Sequence, residues 1–248
     1  MYSMHSRAGF ASKFVSLLIF ICALSVISIA QVAAGEPSSG DASIESNSGL
    51  ASPIAVDKRA YGVLPNYRTA EEANPFKPIT SKQKMTIAYR DTVDAPIFAT
   101  SAVFAGLYQL QNQNPSFGQG FKGYAKRYGY SYVDQAVGNF FSEGLLPSMF
   151  YDDPRYYRRG TGSVSSRSGY AVTRILWTKS DKGNWRFNSS EFLGNGIAVA
   201  VSNAYYPDTR TVSDNANKFA IQLGTDAISN ILKEFWPDVK KKLTKSKN

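Results

Sequence analysis

The sequence predicts an all-α domain of about five helices in a small-residue-rich bundle. Three observations predict it. From residue 80 onward apolar residues recur at helical spacing. Hydroxyl or Asn residues followed three places later by Gln, Glu or Asp precede the periodic stretches, and prolines close them. Small residues also line up at every fourth position of one stretch, which lets a second backbone approach closely.

The elements follow in order. Tyr61 to Pro78 carries Pro65, Pro75 and Pro78, which block regular structure, and reads as an extended proline-rich N-terminal arm lying on the domain. "TSKQ" at Thr80 to Gln83 is a capping box, and the helix it opens runs to about Asp94, where Pro96 kinks or restarts it. "APIFATSAVFAGLYQLQNQN" has no charge and reads as a helix buried on most sides. Asn114-Pro115 signals another helix start. Beyond it Phe117, Phe121, Tyr124, Tyr128 and Tyr132 form one helical stripe, expected in the core. Arg127, Ser131, Asp134, Gln135, Asn139, Ser142 and Glu143 form a polar face. The stretch from Ser165 to Glu191 suits a short helix, with one short hairpin near 170–188 as the alternative. "NSSE" at Asn188 opens a helix with two small ridges: Gly194, Ala198 and Ser202, then Gly196, Ala200 and Ala204. Pro207 closes it. "TVSD" opens the last helix, whose apolar face runs from Phe219 to Phe235 and which Pro237 is expected to end.

Composition divides the chain further. Residues 1–34 read as a secretory signal peptide: Arg7 and Lys13, then the uncharged run Phe14 to Ala30, then small residues at Val32 and Ala34 where a signal peptidase cuts. Residues 35–60 read as a disordered linker, 61–238 as a single helical domain and 239–248 as a lysine-rich tail. The single Cys (Cys22) and single His (His5) both fall in the signal. A mature chain would then carry no disulfide, thiol nucleophile or imidazole base. Ser-His-Asp and Cys-His catalysis are excluded, and no metal site or cofactor is expected. The net charge of +9 is concentrated in the tail, so no nucleic-acid partner is expected.

Two sets of residues are candidates for function. Phe150 to Phe187 carries eight basic residues against three acids, interleaved with tyrosine and tryptophan. Within it Arg155, Tyr156, Tyr157, Arg158 and Arg159 suit an anionic group at a boundary, with guanidinium forks on phosphate and rings alongside. The second set is Asp134, Glu143 and Glu191, lone carboxylates on small- and amide-rich helices. Held between packed helices, they would have raised pKa values and could serve as acid or base. Whether these three converge on one cavity separates the two sets of readings. "GQGFKG" at Gly118 to Gly123 lacks the strand and the GK[ST] of a phosphate loop.

"YGVLPNYRT", "YVDQAVGNFFSEGLLPSMFYDDPRYYRRG" and "NSSEFLGNGIAVAVSNAYYP" together resemble an uncharacterised family of exported bacterial proteins. The resemblance covers most of Tyr61 to Pro237 and implies no activity, ligand or catalytic residue. The expectation is therefore an exported cell-envelope protein, periplasmic or outer-membrane associated and more readily non-enzymatic than enzymatic. Its expected contact is an anionic lipid or envelope protein, made through the Arg/Tyr segment. The alternatives are a hydrolase or transferase using Asp134, Glu143 or Glu191 with arginine support, and a periplasmic module for an anionic ligand.

Overall fold

A computed structural model describes residues 68–245. The expected signal peptide, the linker and the first residues of the arm lie outside the described residues, as do the last three residues of the tail.

The fold is mostly helical, with two small sheets that an all-α reading does not contain. Helix α1 is Ser81–Val93. Its capping box forms as the sequence indicates: Gln83 N–H donates to Thr80 Oγ1 and Thr80 N–H to Gln83 Oε1 (2.8 Å). Asp94 ends α1 and caps α2 (Ala95–Leu110), accepting from Ala95 N–H at 2.9 Å. Pro96 thus restarts a helix, at the position where its missing N–H has no partner to lose.

Asn114-Pro115 does not open an α-helix. Asn114 is left-handed (φ 54°), Pro115–Phe117 is a single 3-10 turn, and Gly118 and Gly120 also have positive φ. Helix α3 then runs Gly120–Asn139. It passes through a π turn, Phe140–Leu145, into the short helix α4, Leu146–Phe150. Left-handed Tyr151 stops it (φ 61°).

Strand β1 (Thr69–Glu71) pairs parallel with β3 (Tyr156–Arg158), Thr69 opposite Tyr156. The arm therefore lies on the domain as an added strand. Strand β2 (Asp152–Asp153) pairs antiparallel with β4 (Trp177–Ser180), which forms a hairpin with β5 (Trp185–Phe187). The stretch read as helix or hairpin is both in succession, because helix α5 (Val164–Thr173) precedes the hairpin. Helix α6 is Ser189–Ser202 and α7 is Val212–Lys245. Pro237 lies inside α7 and does not end it, so the lysine-rich tail continues the helix to Lys245.

The inward face of α3 corrects the sequence reading. The expected aromatic core stripe is mixed: Phe117 is buried, whereas Phe121 is 86% exposed. The buried positions of α3 are Gly123, Arg127, Ser131 and Gly138, followed in the π turn by Ser142, Glu143 and Gly144. The polar face points inward because α6 approaches at backbone distance there and side chains of α1 pack directly onto the π turn. A Cβ on Gly194 would stand 2.6 Å from Ser142 Cα, and one on Gly144 would stand 2.9 Å from Met85 Sδ. Of the two small ridges on α6, only Gly194, Ala198 and Ser202 are buried. A Cβ on Gly196 would meet nothing within 4 Å.

Candidate functional site

Four elements converge where the π turn crosses the bundle. Arg68, just before β1, ion-pairs with Asp91 of α1 and with Glu143 of the π turn. Helix α6 supplies Glu191 and Asn195. Helix α7 supplies Asp226 and Lys233. Asn195 Nδ2 donates to Glu191 Oε1 (3.0 Å) and Asp226 Oδ2 (3.3 Å), joining the two helices. Arg68, Glu143, Glu191, Asp226 and Lys233 line one cavity of about 50 Å³, room for a few waters.

Burial pushes Glu143 well above the ordinary carboxylate range, and Asp91 beside it adds to the effect against the pull of Arg68. Burial likewise raises Glu191 well above that range, with Asp226 adding to it. Lys233 is pulled down to about 8 by burial and by the Arg68 charge. Four carboxyls face two basic groups, so holding a proton on Glu143 and on Glu191 leaves the cluster near neutrality. Such a cluster can store and release protons. Its enclosed space is too small for a sizeable substrate.

Glu143 and Glu191, anticipated as acid or base, therefore share a cavity. Asp134 lines a neighbouring cavity of about 110 Å³ between α2, α3, α6 and α7. Ser142 and Asp226 line both. Asp134 accepts hydroxyl bonds from Tyr205 and from Tyr206 (2.8 Å for the latter). Burial raises its pKa to about 6, with those hydroxyls and Lys218 opposing.

The Arg/Tyr segment is largely committed to internal contacts. Fully buried Asp153 accepts Arg155 Nε (2.9 Å), Arg155 Nη2 (2.6 Å) and the Tyr157 hydroxyl (2.8 Å). Fully buried Glu234 of α7 accepts the Tyr156 hydroxyl, the Arg159 and Gly160 N–H groups and Arg167 Nε, all within 3.0 Å. Burial alone would raise Glu234, but Arg167 and these donors hold it below the ordinary range. Arg158 Nη1 donates to both carboxylate oxygens of Glu71 at 3.0 Å, and its Nε donates to the Glu234 carbonyl at 2.9 Å. Only Arg159 presents an exposed side chain, which donates to Ser166 Oγ at 3.3 Å. The segment joins β1, β3, α5 and α7, and little of it faces outward.

Sequence reasoning missed Arg68, Asp91, Asp226, Lys233 and Glu234. One signal was present: Asp226 is the only charge between Phe219 and Leu232, and a lone charge in an apolar stretch must find a partner when the helix packs. Among the described residues no group of His, Cys, Asp and Glu is arranged to hold a metal ion, and no helix is long and apolar enough to cross a membrane. Comparison of the chain with protein-family models, curated proteins and solved structures finds no match.

Proposed function

We propose that this is an exported, non-enzymatic cell-envelope protein that rests on an anionic membrane surface through the hairpin and α6. One observation carries the reading: exposed apolar residues follow one another along these elements without an exposed charge among them on α6. Leu176, Trp177 and Phe187 are exposed on the hairpin, with Trp177 and Phe187 in edge contact at 6.5 Å. Phe187 meets Phe192 at 5.1 Å, and the band continues along α6 through exposed Leu193, Ala200 and Val201. The only charge on α6, Glu191, turns into the cavity. Exposed Lys182 lies in the turn of the same hairpin, whereas Arg186 is ion-paired with Asp152 at 3.1 Å. Exposed tryptophan suits the headgroup level of a bilayer, and an exposed lysine on the same hairpin favours an anionic one. A lipid surface requires no shape match, which fits a band spread over a hairpin and a helix. The contact is thus assigned away from residues 155–159, whose groups hold the fold together.

The test is flotation with vesicles of phosphatidylcholine alone and of phosphatidylcholine with phosphatidylglycerol. The lysine-rich tail is deleted from every protein compared. Wild type is expected to prefer the anionic vesicles, and a Leu193→Glu, Val201→Glu variant to bind at least about tenfold more weakly, given the apolar area withdrawn. Undiminished binding by that variant, with its circular dichroism intact, would refute the assignment.

The shared cavity of Glu143 and Glu191 favours a second reading, an acid–base hydrolase or transferase. A screen of hydrolytic substrates in which Glu143→Gln and Glu191→Gln abolish turnover would replace the first reading with the second.

A further inference from the structure

The cavity that holds Asp134 has a distinctive chemistry. Its charged lining groups are Asp134 of α3 and Asp226 and Lys218 of α7. Lys218 has no proton to spare: Nζ donates to Ser202 Oγ (3.1 Å), Asn203 Oδ1 (3.2 Å) and the Thr209 carbonyl (2.7 Å). The charged lining is thus two carboxyls against one ammonium whose N–H donors are all taken, which disfavours an anion. Each Asp134 oxygen accepts one tyrosine hydroxyl, which leaves lone pairs available. Two lining residues each carry a buried oxygen without a hydrogen-bond partner, Ser131 Oγ and Gln222 Oε1, and Ser131 is only 3% exposed. Both can accept. Phe104 and Tyr108 of α2 add a wall of two rings 5.7 Å apart, a surface that favours cations.

We infer that this cavity binds a small protonated primary amine carrying a second hydrogen-bond donor, its ammonium directed to Asp134 and its other donor to Gln222 Oε1 or Ser131 Oγ. Open acceptors, two carboxylates against one ammonium and aromatic faces all select a donor-rich cation, and Lys218 has no N–H left to donate to an anion. The volume sets the size. A dry cavity of roughly 150 Å³ holds a benzene ring, so about 110 Å³ suits a chain of about four or five heavy atoms.

Ethanolamine is the probe, titrated calorimetrically into the full domain at pH 7.5 in sodium chloride. Ethylene glycol and tetramethylammonium are the comparison ligands. The first keeps the hydroxyls without charge, and the second keeps the charge without N–H donors. Ethanolamine is expected to bind with a dissociation constant of about 0.1–10 mM, the range four heavy atoms can reach, and both comparison ligands at least about tenfold more weakly. Asp134→Asn should weaken ethanolamine at least tenfold. Ser131→Val replaces an unpartnered buried hydroxyl by two methyl groups that occupy cavity space. It should keep the fold and remove binding, so the outcome does not depend on Asp134→Asn folding well. Ethylene glycol matching ethanolamine, binding that survives Ser131→Val, or no heat with any ligand would each overturn the assignment and leave a cavity filled by water.

Discussion

Arg127 shows how a single side chain changes its meaning on folding. In the sequence it belongs to a polar helix face, the kind that normally meets water. In the structure it is fully buried and makes five hydrogen bonds, all to neutral oxygens: Gln113 O twice, Gln109 Oε1, Gly118 O and Asn114 O. Those backbone carbonyls belong to the irregular turn between α2 and α3, where left-handed residues leave carbonyls without helical partners. The guanidinium fork satisfies several of them at once, which one lysine ammonium cannot do. Arg127→Met is therefore expected to cost about 3 kcal/mol or more, since it strands buried acceptors as well as deleting charged hydrogen bonds. Arg127→Lys should recover little of that loss. The check is the urea midpoint of each variant. Wild-type stability in Arg127→Lys would show that the turn needs only a positive charge there.

At the scale of elements, four caps were legible because they are local chemistry, whereas two proline signals misled: Asn114-Pro115 opens only a 3-10 turn and Pro237 lies inside α7. Thr80 with Gln83, Asp94 before Pro96, Asn188 with Glu191 and Thr211 with Asp214 each act within four residues, and each forms. Facing was not legible, because it depends on which neighbour arrives. The tyrosines of α3 lie across its flanks and reach neighbouring backbone with their hydroxyls: Tyr132 donates to the Thr92 carbonyl (3.0 Å) and Tyr124 to that of Ala102 (3.3 Å). That leaves the small and polar positions for the closest contacts. The two ridges of α6 look equivalent as sequence, yet only one meets the π turn. Gly194→Ala is expected to destabilise by about 1–3 kcal/mol, because Ser142 Cα and N both stand 2.6 Å from the added carbon and backbone yields poorly. Gly196→Ala should be neutral or stabilise by roughly 0.5–1 kcal/mol, through helix propensity in open space. Equal melting temperatures for the two variants would remove the close contact between α6 and the π turn. The candidate cluster was legible in part for the same reason: Glu143 and Glu191 stood out as lone carboxylates. Their partners come from Arg68, Asp91, Asp226 and Lys233, on other elements far apart in the chain.

The whole molecule carries its unusual electrostatics inside, and its stability should depend on pH accordingly. Asp134, Glu143 and Glu191 are all raised by burial. For an acid whose folded pKa lies above its unfolded value, the native state holds a proton that the unfolded chain has already released. Stability therefore rises as pH falls through the folded pKa, and the gain is complete below the unfolded value near 4. For Asp134 the window runs from about 6 down to 3.8, worth at most about 3 kcal/mol. Lys233 acts elsewhere. Pulled down to about 8 from 10.5, it lowers stability as pH falls across that interval and is constant below it. Glu234 has the opposite sign to the buried acids, since its depressed pKa means stability is lost as pH drops through the folded value, below 4.5. These windows place the stability maximum near pH 4.5, where the loss at Glu234 begins to offset what the buried acids still gain. Protonation adds to a net charge already at +9, and the resulting self-repulsion opposes the gain. Measuring in about 0.15 M salt screens much of that repulsion between exposed charges. The melting temperature is then expected to be several degrees higher at pH 5 than at pH 7.5, as a change of 1 kcal/mol shifts a domain of this size by about 2–4 °C. Asp134→Asn should flatten the curve between pH 6 and 4. A melting temperature that falls steadily from pH 7.5 to 5 would mean the buried carboxyls are ionised and fully paired in the native state, and the proton-holding cluster would have to be abandoned.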